Sequence, residues 1–178
     1  IKNVYFGRSY SANEIVDALK RAQLPFTHYQ PVEPKIAMLL AAGKVVARFD
    51  GRMEYGPRAL GNRSILYHAK EPAVNQWLNQ RLGRTEFMPF APITRAEDVS
   101  EYYVGLDGVE HTAEFMTITC SCTEKMRRET PAVVHLDGTA PPQIVRSQSH
   151  PFVHEILTEY RKRTGISALI NTSFNVHE

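Results

Sequence analysis

The spacing of apolar residues predicts helices at residues 11–23, 33–42, 71–81, 95–103 and 151–164. The first opens on the capping-box pair Ser11 and Glu14, in which each side chain can bond the backbone of the other residue. The last carries Pro151 in its first turn and Gly165 directly after its end, which are common start and stop signals. Local capping chemistry therefore sets the boundaries of these two helices.

Shorter runs rich in β-branched or apolar residues predict strands at residues 26–29, 44–50, 115–122, 132–136, 143–146 and 166–170. Residues 88–92 contain Pro89 and Pro92, so we expect an extended path there and no helix. Residues 171–175 form a cluster of short polar side chains, which is typical of a loop that faces a ligand. Because helices and strands alternate and several strands are neighbours in sequence, the pattern favours an α/β or α+β domain with a mixed sheet.

Length and composition predict one domain over residues 1–178, since 43% hydrophobic content can build one core and no low-complexity linker divides the chain. The 21 Lys and Arg against 19 acidic residues leave a net charge of +2, which argues against non-specific nucleic-acid binding. No apolar stretch reaches the roughly 20 residues that cross a bilayer, so we expect a cytoplasmic protein without a membrane partner. Because the chain starts at Ile1 and stops after a loop-like segment, we expect a piece of a longer protein.

The two cysteines and a histidine pair carry no predicted function. Cys120 and Cys122 lie two apart on a predicted strand, so they share a face and are expected to be buried thiols and not a disulfide or a zinc site. His150 precedes Pro151 and should not share a helical face with His154, which argues against a metal site there. We expect no metal ligands in this chain.

Residues 51–64 read Gly-Arg-Met-Glu-Tyr-Gly-Pro-Arg-Ala-Leu-Gly-Asn-Arg-Ser, with arginines at Arg52, Arg58 and Arg63 and glycines at Gly51, Gly56 and Gly61. Arginine grips phosphate or carboxylate oxygens in pairs, and glycine lets backbone N–H groups approach the same anion. The segment matches neither the Walker nor the Rossmann phosphate motif. It predicts an anion-binding loop; the alternative is a surface turn whose arginines pair with Glu54 and Asp50.

Four motifs occur in an order that resembles the C-terminal domain of O-carbamoyltransferases, the enzymes of nodulation-factor, cephamycin and aminoglycoside biosynthesis. They are the arginine loop at 51–64, Met-Pro-Phe-Ala-Pro at 88–92, His-Leu-Asp-Gly-Thr at 135–139 and Asn-Thr-Ser-Phe-Asn at 171–175. The resemblance implies a YrdC-like fold, a twisted mixed sheet with helices packed on it and a positively charged cavity. It also implies that carbamoyl phosphate and ATP, with Mg²⁺, form carbamoyl-adenylate in that cavity. A further N-terminal domain, with the kinase and heat-shock-protein superfamily fold and a metal ion, would then transfer the carbamoyl group to a small-molecule hydroxyl.

The arginines Arg52, Arg58 and Arg63 are the predicted catalytic residues, assigned to phosphate and carbamoyl binding. A second set is predicted to bind substrate or nucleotide: Lys44, Asn62, Ser64, Arg84, His135, Asp137, Arg146, Asn171, Ser173 and Asn175. His135 and Asp137 lie two apart on a predicted strand, so either Asp137 orients the imidazole, or both contact the ligand, or they form a structural pair.

The sequence departs from the family pattern in two places. Pro141 and Pro142 follow the Asp-Gly-Thr turn where relatives usually carry arginine, and Met88 also stands where arginine is common. The two absent cations imply altered nucleotide affinity, compensation by Arg84 or Arg146, or a loss of adenylation. Two alternative functions remain: a non-catalytic phosphate- or nucleotide-binding regulatory module, and an RNA-binding YrdC-like domain, against which the nearly neutral charge weighs.

Overall fold

A computed structural model describes residues 2–83 and 90–174 of the chain. Its helices are α1 (Ala12–Arg21), α2 (Glu33–Ala41), α3 (Ala73–Arg81), α4 (Val99–Tyr102), α5 (Glu110–Ala113), α6 (Glu124–Glu129) and α7 (Pro151–Thr164). Its strands are β1 (Val46–Phe49), β2 (Arg63–His68), β3 (Ala91–Arg95), β4 (Tyr103–Val104), β5 (Cys120–Cys122), β6 (Thr139–Ala140), β7 (Gln143–Val145) and β8 (Ala168–Ser173). Turns of 3₁₀ helix cover Ala96–Asp98 and Pro131–Val133.

The larger sheet is mixed and has the strand order β1-β2-β8-β3-β7. Strands β3 and β7 run parallel, whereas the other neighbours are antiparallel. A smaller antiparallel sheet has the order β4-β5-β6. This mixed topology confirms the predicted combination of helices with a mixed sheet.

Successive residues of the large sheet point into two different cores. Leu66, Ile93 and Leu169 pack against α2 and α7 on one face. On the other face, Tyr67 and Ile170 join a core that also contains residues of α3, α6 and the small sheet. The period-2 alternation of a strand thus places helices on one side and the remaining elements on the other.

Local signals located the helices well. The capping box of Ser11 and Glu14 is present at α1, and Gly165 adopts a left-handed conformation with a φ of 76° at the end of α7. The predicted helix at 95–103 is instead a turn of 3₁₀ helix followed by the short α4. None of the helices within residues 2–83 and 90–174 is long and apolar enough to cross a bilayer.

Several strand predictions were wrong. Residues 26–29 form no strand, and residues 132–136 form part of a 3₁₀ turn and a loop. The strand predicted at 115–122 is restricted to β5, and residues 171–173 continue β8 instead of forming a loop. Strand β2 was not predicted, because Arg63 and Ser64 were assigned to the end of the arginine loop.

Cys120 and Cys122 are free, buried thiols in one core, as predicted from their spacing. Burial raises the pKa of Cys122 to about 11. Both side chains are therefore packing groups at neutral pH.

Candidate functional site

The arginine loop connects the antiparallel neighbours β1 and β2 at one end of the large sheet. Gly61 shows why glycine is required, since its φ is 112° and an added Cβ would lie 2.9 Å from Nε2 of His150. The N–H groups of two loop glycines donate to neighbouring side chains. Gly51 donates to Oδ1 of Asp50 at 2.8 Å, and Gly61 donates to Oγ of Ser64 at 2.9 Å. For these two positions, the expectation that the N–H contacts a ligand was wrong, because side chains of the loop already accept their hydrogen bonds.

Glu54 is the buried centre of the loop and is 6% exposed. Its Oε1 accepts hydrogen bonds from the backbone N–H groups of Leu60 at 2.8 Å, Asn62 at 2.7 Å and Arg63 at 3.2 Å. A carboxylate that accepts several backbone N–H groups is strongly held, since such bonds are charge-assisted. The sequence alone suggested Glu54 as a surface ion-pair partner, whereas the structure makes it the acceptor that folds the loop.

Arg48 lies beneath the loop and was not predicted from the sequence. Its guanidinium is 6% exposed and donates to the carbonyl of Gly61, to Oδ1 of Asn62 at 2.9 Å and to Oδ2 of Asp50 at 2.5 Å. Burial lowers the pKa of Arg48, and the carboxylates of Asp50 and Glu54 oppose this shift. The only signal in the sequence was an arginine in a strand of otherwise apolar character.

Arg63 and Arg58 have different environments although both line the same cleft. Arg63 is 9% exposed; its guanidinium donates to the carbonyls of Asp50, Asn62 and Gly51 and stacks 3.7 Å from the ring centre of Phe49. Arg58 is exposed and makes no hydrogen bond or ion pair within the described part of the chain. Arg58 is therefore the cleft arginine whose donors are available to a ligand.

The other polar residues of the loop region mainly support its backbone. Asn62 donates to the carbonyl of Arg52 at 2.8 Å, and Asn171 donates to the carbonyl of Ala59 at 2.9 Å and to Oε1 of Gln143 at 2.7 Å. Gln143 in turn donates to the carbonyl of Leu60 at 2.8 Å. Buried hydrogen bonds thus fix the path of the loop, which leaves its exposed arginines on a rigid support.

The cleft has a volume of about 240 Å³ and is lined by Met53, Glu54, Tyr55, Gly56, Pro57, Arg58, Ala59, Arg63 and Ser173. It is smaller than the roughly 300–1,000 Å³ of sites that enclose drug-sized ligands. Two guanidinium groups and one carboxylate line its walls, and that carboxylate is engaged by backbone N–H groups. The cleft suits a small anion better than a whole nucleotide.

The structure brings together Arg58, Arg63 and Ser173 at the cleft, with Asn62, Ser64 and Asn171 buried behind it. Arg52 is exposed on the same loop but does not line the cleft, and its guanidinium makes no hydrogen bond or ion pair among the described residues. Lys44 is exposed and precedes β1, whereas the loop follows β1, and Lys44 is not among the residues that line the cleft. The predicted contact of Lys44 with the ligand stays a prediction. Arg84 and Asn175 lie outside the described residues.

His135 and Asp137 lie in a turn and not on a strand, which corrects their predicted arrangement. Asp137 accepts hydrogen bonds from Oγ1 and N of Thr139 at 2.7 and 3.0 Å, and these bonds lower the pKa of its carboxyl group. Asp137 makes no direct hydrogen bond to His135 among the described residues, and Oγ1 of Thr139 lies 3.5 Å from Nδ1 of His135. Both residues line a separate, largely apolar cavity of about 570 Å³ together with Pro72, Asn75, Pro131, Ala132, Val134 and Leu136.

Arg146 is also separate from the arginine cleft. It follows β7 and its Nε donates to Oε1 of Glu114 at 2.8 Å. It lines a different cavity with Ser100 and Glu110. Its predicted contact with the ligand stays a prediction.

Comparison with known proteins identifies the class of domain that carries this loop. Residues 37–178 match the family model described as carbamoyltransferase C-terminus. The chain is 34% identical to the 3'-hydroxymethylcephem-O-carbamoyltransferase of Streptomyces clavuligerus, over 97% of the chain and 31% of that protein. It is 40% identical to nodulation protein U of Rhizobium tropici, over 80% of the chain and 24% of that protein. The chain belongs to the family of carbamoyltransferase C-terminal domains, and it spans about a third or less of the length of these relatives.

A solved structure supports the fold independently. The chain matches full-length HypF in its phosphate- and nucleotide-bound form with a TM-score of 0.57 and 18% identity, over 87% of the chain and 21% of HypF. HypF of T. kodakarensis matches with a TM-score of 0.56. These matches confirm the predicted YrdC-like arrangement of a mixed sheet with packed helices.

Proposed function

We propose that this chain binds carbamoyl phosphate and ATP and forms carbamoyl-adenylate, as the first half of an O-carbamoyl transfer. Membership of the carbamoyltransferase C-terminal family supports the group that is transferred. The relative from Streptomyces clavuligerus is named as an O-carbamoyltransferase, which supports a hydroxyl acceptor. The matching structure of full-length HypF is a phosphate- and nucleotide-bound form, which supports both kinds of ligand.

The exposed guanidinium of Arg58 on a rigid loop is the observation that carries this proposal. Glu54, Arg48 and Arg63 already satisfy the buried groups of the loop, so binding of an anion requires little reorganisation. Arginine keeps its charge at every physiological pH and can contact two phosphate oxygens at once. Arg58 is therefore assigned to the phosphate of carbamoyl phosphate, and Arg52 to a second anionic group at the edge of the loop.

Electrostatic repulsion explains why this reaction needs arginines. Two unit charges 4 Å apart repel by about 4 kcal/mol at an effective dielectric constant of 20, and the two substrates bring several negative charges together. In the proposed reaction, water hydrolyses carbamoyl phosphate to inorganic phosphate and carbamate. A carbamate oxygen then attacks the α-phosphorus of ATP, and pyrophosphate leaves. Arg58 and Arg63 would lower the repulsion between these groups and stabilise charge on the phosphoryl oxygens.

Magnesium is treated as part of the ATP substrate. Within residues 2–83 and 90–174, no group of three His, Cys, Asp or Glu side chains lies close enough to hold a metal ion. Mg²⁺ usually binds through substrate phosphates and needs few protein ligands, so the phosphates of ATP would supply most of its ligands. We assign the binding of the hydroxyl acceptor and the metal-containing transfer site to a further domain, because the chain spans only 31% and 24% of the length of these two relatives.

Isotope exchange between ATP and pyrophosphate tests the proposed reaction. The full-length protein should show exchange that depends on carbamoyl phosphate and Mg²⁺, and Arg58→Ala should reduce it by at least about tenfold. Arg21→Ala is the matched control, because Arg21 is an exposed arginine at the end of α1. Absence of exchange in a protein that still binds carbamoyl phosphate would favour the non-catalytic anion-binding module.

A further inference from the structure

The N-terminal segment at residues 4–7 runs antiparallel to the rim of the arginine cleft. The N–H of Gly7 donates to the carbonyl of Met53 at 3.0 Å, and the N–H of Tyr55 donates to the carbonyl of Val4 at 2.7 Å. Tyr5 and Glu54 form a β-bridge between these two hydrogen bonds. The segment therefore adds a further partner to a loop that continues into β1 and β2 at its ends and is bonded by Asn171 at Ala59 and by Gln143 at Leu60.

The side chain of Tyr5 reaches under the loop to its other side. Its hydroxyl donates to the carbonyl of Leu60 at 3.0 Å, and its ring lies edge-on to His150 with 5.6 Å between ring centres. Burial raises the pKa of Tyr5, so the hydroxyl remains a donor at neutral pH. The segment thus contacts both Met53 and Leu60, which bracket Arg58.

We propose that residues 4–7 form a positioning strap, which fixes the conformation of residues 53–60 and so the direction of the Arg58 side chain. The strap lies outside residues 37–178, which match the family model, and α1, which follows it, has no buried residue. Val4 and Tyr5 pack on a small apolar cluster of Leu60, Ala91 and Met116 and are not part of the two large cores. For its effect on ligand binding, this inference rests on the function proposed above; its effect on the loop does not.

Gly7 provides a way to displace the strap without changing the arginine loop. A Cβ at Gly7 would lie 2.6 Å from Cβ of Met53 and 3.1 Å from its N and O atoms. The φ of Gly7 is not in the left-handed range, so alanine is compatible with the backbone there. Gly7→Ala should therefore separate the strap from Met53 by steric contact alone.

The test combines calorimetric titration of carbamoyl phosphate with amide hydrogen exchange of the ligand-free protein. In Gly7→Ala, we expect about tenfold weaker binding and about tenfold faster exchange at the amides of Leu60, Asn62 and Arg63, because a small displacement of a binding group is costly. Adding Met53→Gly to Gly7→Ala removes the atom at 2.6 Å and leaves only the 3.1 Å contacts with the Met53 backbone, so both quantities should return most of the way to the values of Met53→Gly alone. Ser9→Ala, at an exposed position next to the strap, should match the parent.

Each outcome decides one claim. Unchanged exchange at Leu60, Asn62 and Arg63 in Gly7→Ala would overturn the strap, and so would a double variant that is not restored. If the parent protein fails to bind carbamoyl phosphate, the proposed function fails, and the exchange data alone then support or overturn the strap. If exchange rises in Gly7→Ala but the affinity of a binding parent is unchanged, the strap does not position Arg58 and the inference is wrong.

Discussion

Replacing Glu54 by alanine should lower the free energy of unfolding by about 3 kcal/mol. Oε1 of Glu54 accepts three backbone N–H groups, and the residues that donate them, Leu60, Asn62 and Arg63, are all buried. A buried donor left without a partner costs about 1–3 kcal/mol. Because Glu54 also lines the cleft, water can replace part of the lost acceptor, so the cost should be well below three full penalties.

The variant Glu54→Gln keeps a side-chain oxygen as hydrogen-bond acceptor but removes the negative charge, so it measures the two contributions separately. The amide oxygen can accept the same N–H groups, but bonds to a neutral acceptor are about half as strong as charge-assisted ones. We therefore expect about 1 kcal/mol of destabilisation for Glu54→Gln. Glu155→Ala serves as the control at an exposed position, where surface substitutions stay within about 0.5 kcal/mol.

Urea unfolding followed by circular dichroism measures these differences. For a chain of this size, the expected loss in Glu54→Ala corresponds to a decrease in Tm of about 6–12 °C. A cost below about 1 kcal/mol for Glu54→Ala, or equal costs for the alanine and glutamine variants, would show that Glu54 does not organise the loop in the way described.

Three further predictions concern buried groups near the site and in the core. Burial and the neighbouring Arg48 lower the pKa of His150 to about 4, so the unfolded chain binds a proton that the folded chain does not. Stability should therefore fall as pH drops from about 6.5 to about 4, by up to about 1.4 kcal/mol per pH unit, and His150→Gln should flatten this dependence in urea unfolding; an unchanged slope would contradict it. Cys122, whose pKa burial raises to about 11, should not react with a thiol reagent at pH 7 until the protein unfolds, and fast labelling of folded protein would contradict its burial. Asn171→Ala should cost about 2 kcal/mol in the same unfolding assay, because it removes two buried hydrogen bonds, and a cost below about 0.5 kcal/mol would contradict this support for the loop.

The elements that the sequence predicted correctly are those whose boundaries depend on neighbouring residues. The capping box of α1 and the glycine stop of α7 act within one helical turn, so they can be read locally. The strand predicted at 132–136 was wrong because an apolar run alone does not distinguish a strand from a buried 3₁₀ turn. Residues 171–173 look like a loop by composition, but pairing with β2 and β3 places them in a strand.

In the candidate site, too, local sequence features could be predicted and contacts between distant residues could not. Arginine and glycine content identified the loop, and Arg58 lies at its cleft as an exposed cation. The roles of Glu54, Arg48 and Tyr5 could not be predicted, because their partners are backbone groups that only the folded chain brings near. Lys44 is near the loop in sequence, but β1 lies between the two, so its contact with the ligand stays a prediction.

Titration of carbamoyl phosphate into the parent, Arg58→Ala and Arg21→Ala proteins tests most directly whether the arginine loop is the anion site. We expect Arg58→Ala to weaken binding by about tenfold or more, since a charge-assisted contact contributes about 1.5–3 kcal/mol. Arg21→Ala should bind as the parent does, and both variants should melt within about 2 °C of the parent because both side chains are exposed. Equal affinity of Arg58→Ala and the parent would contradict the assignment of the loop as the anion site.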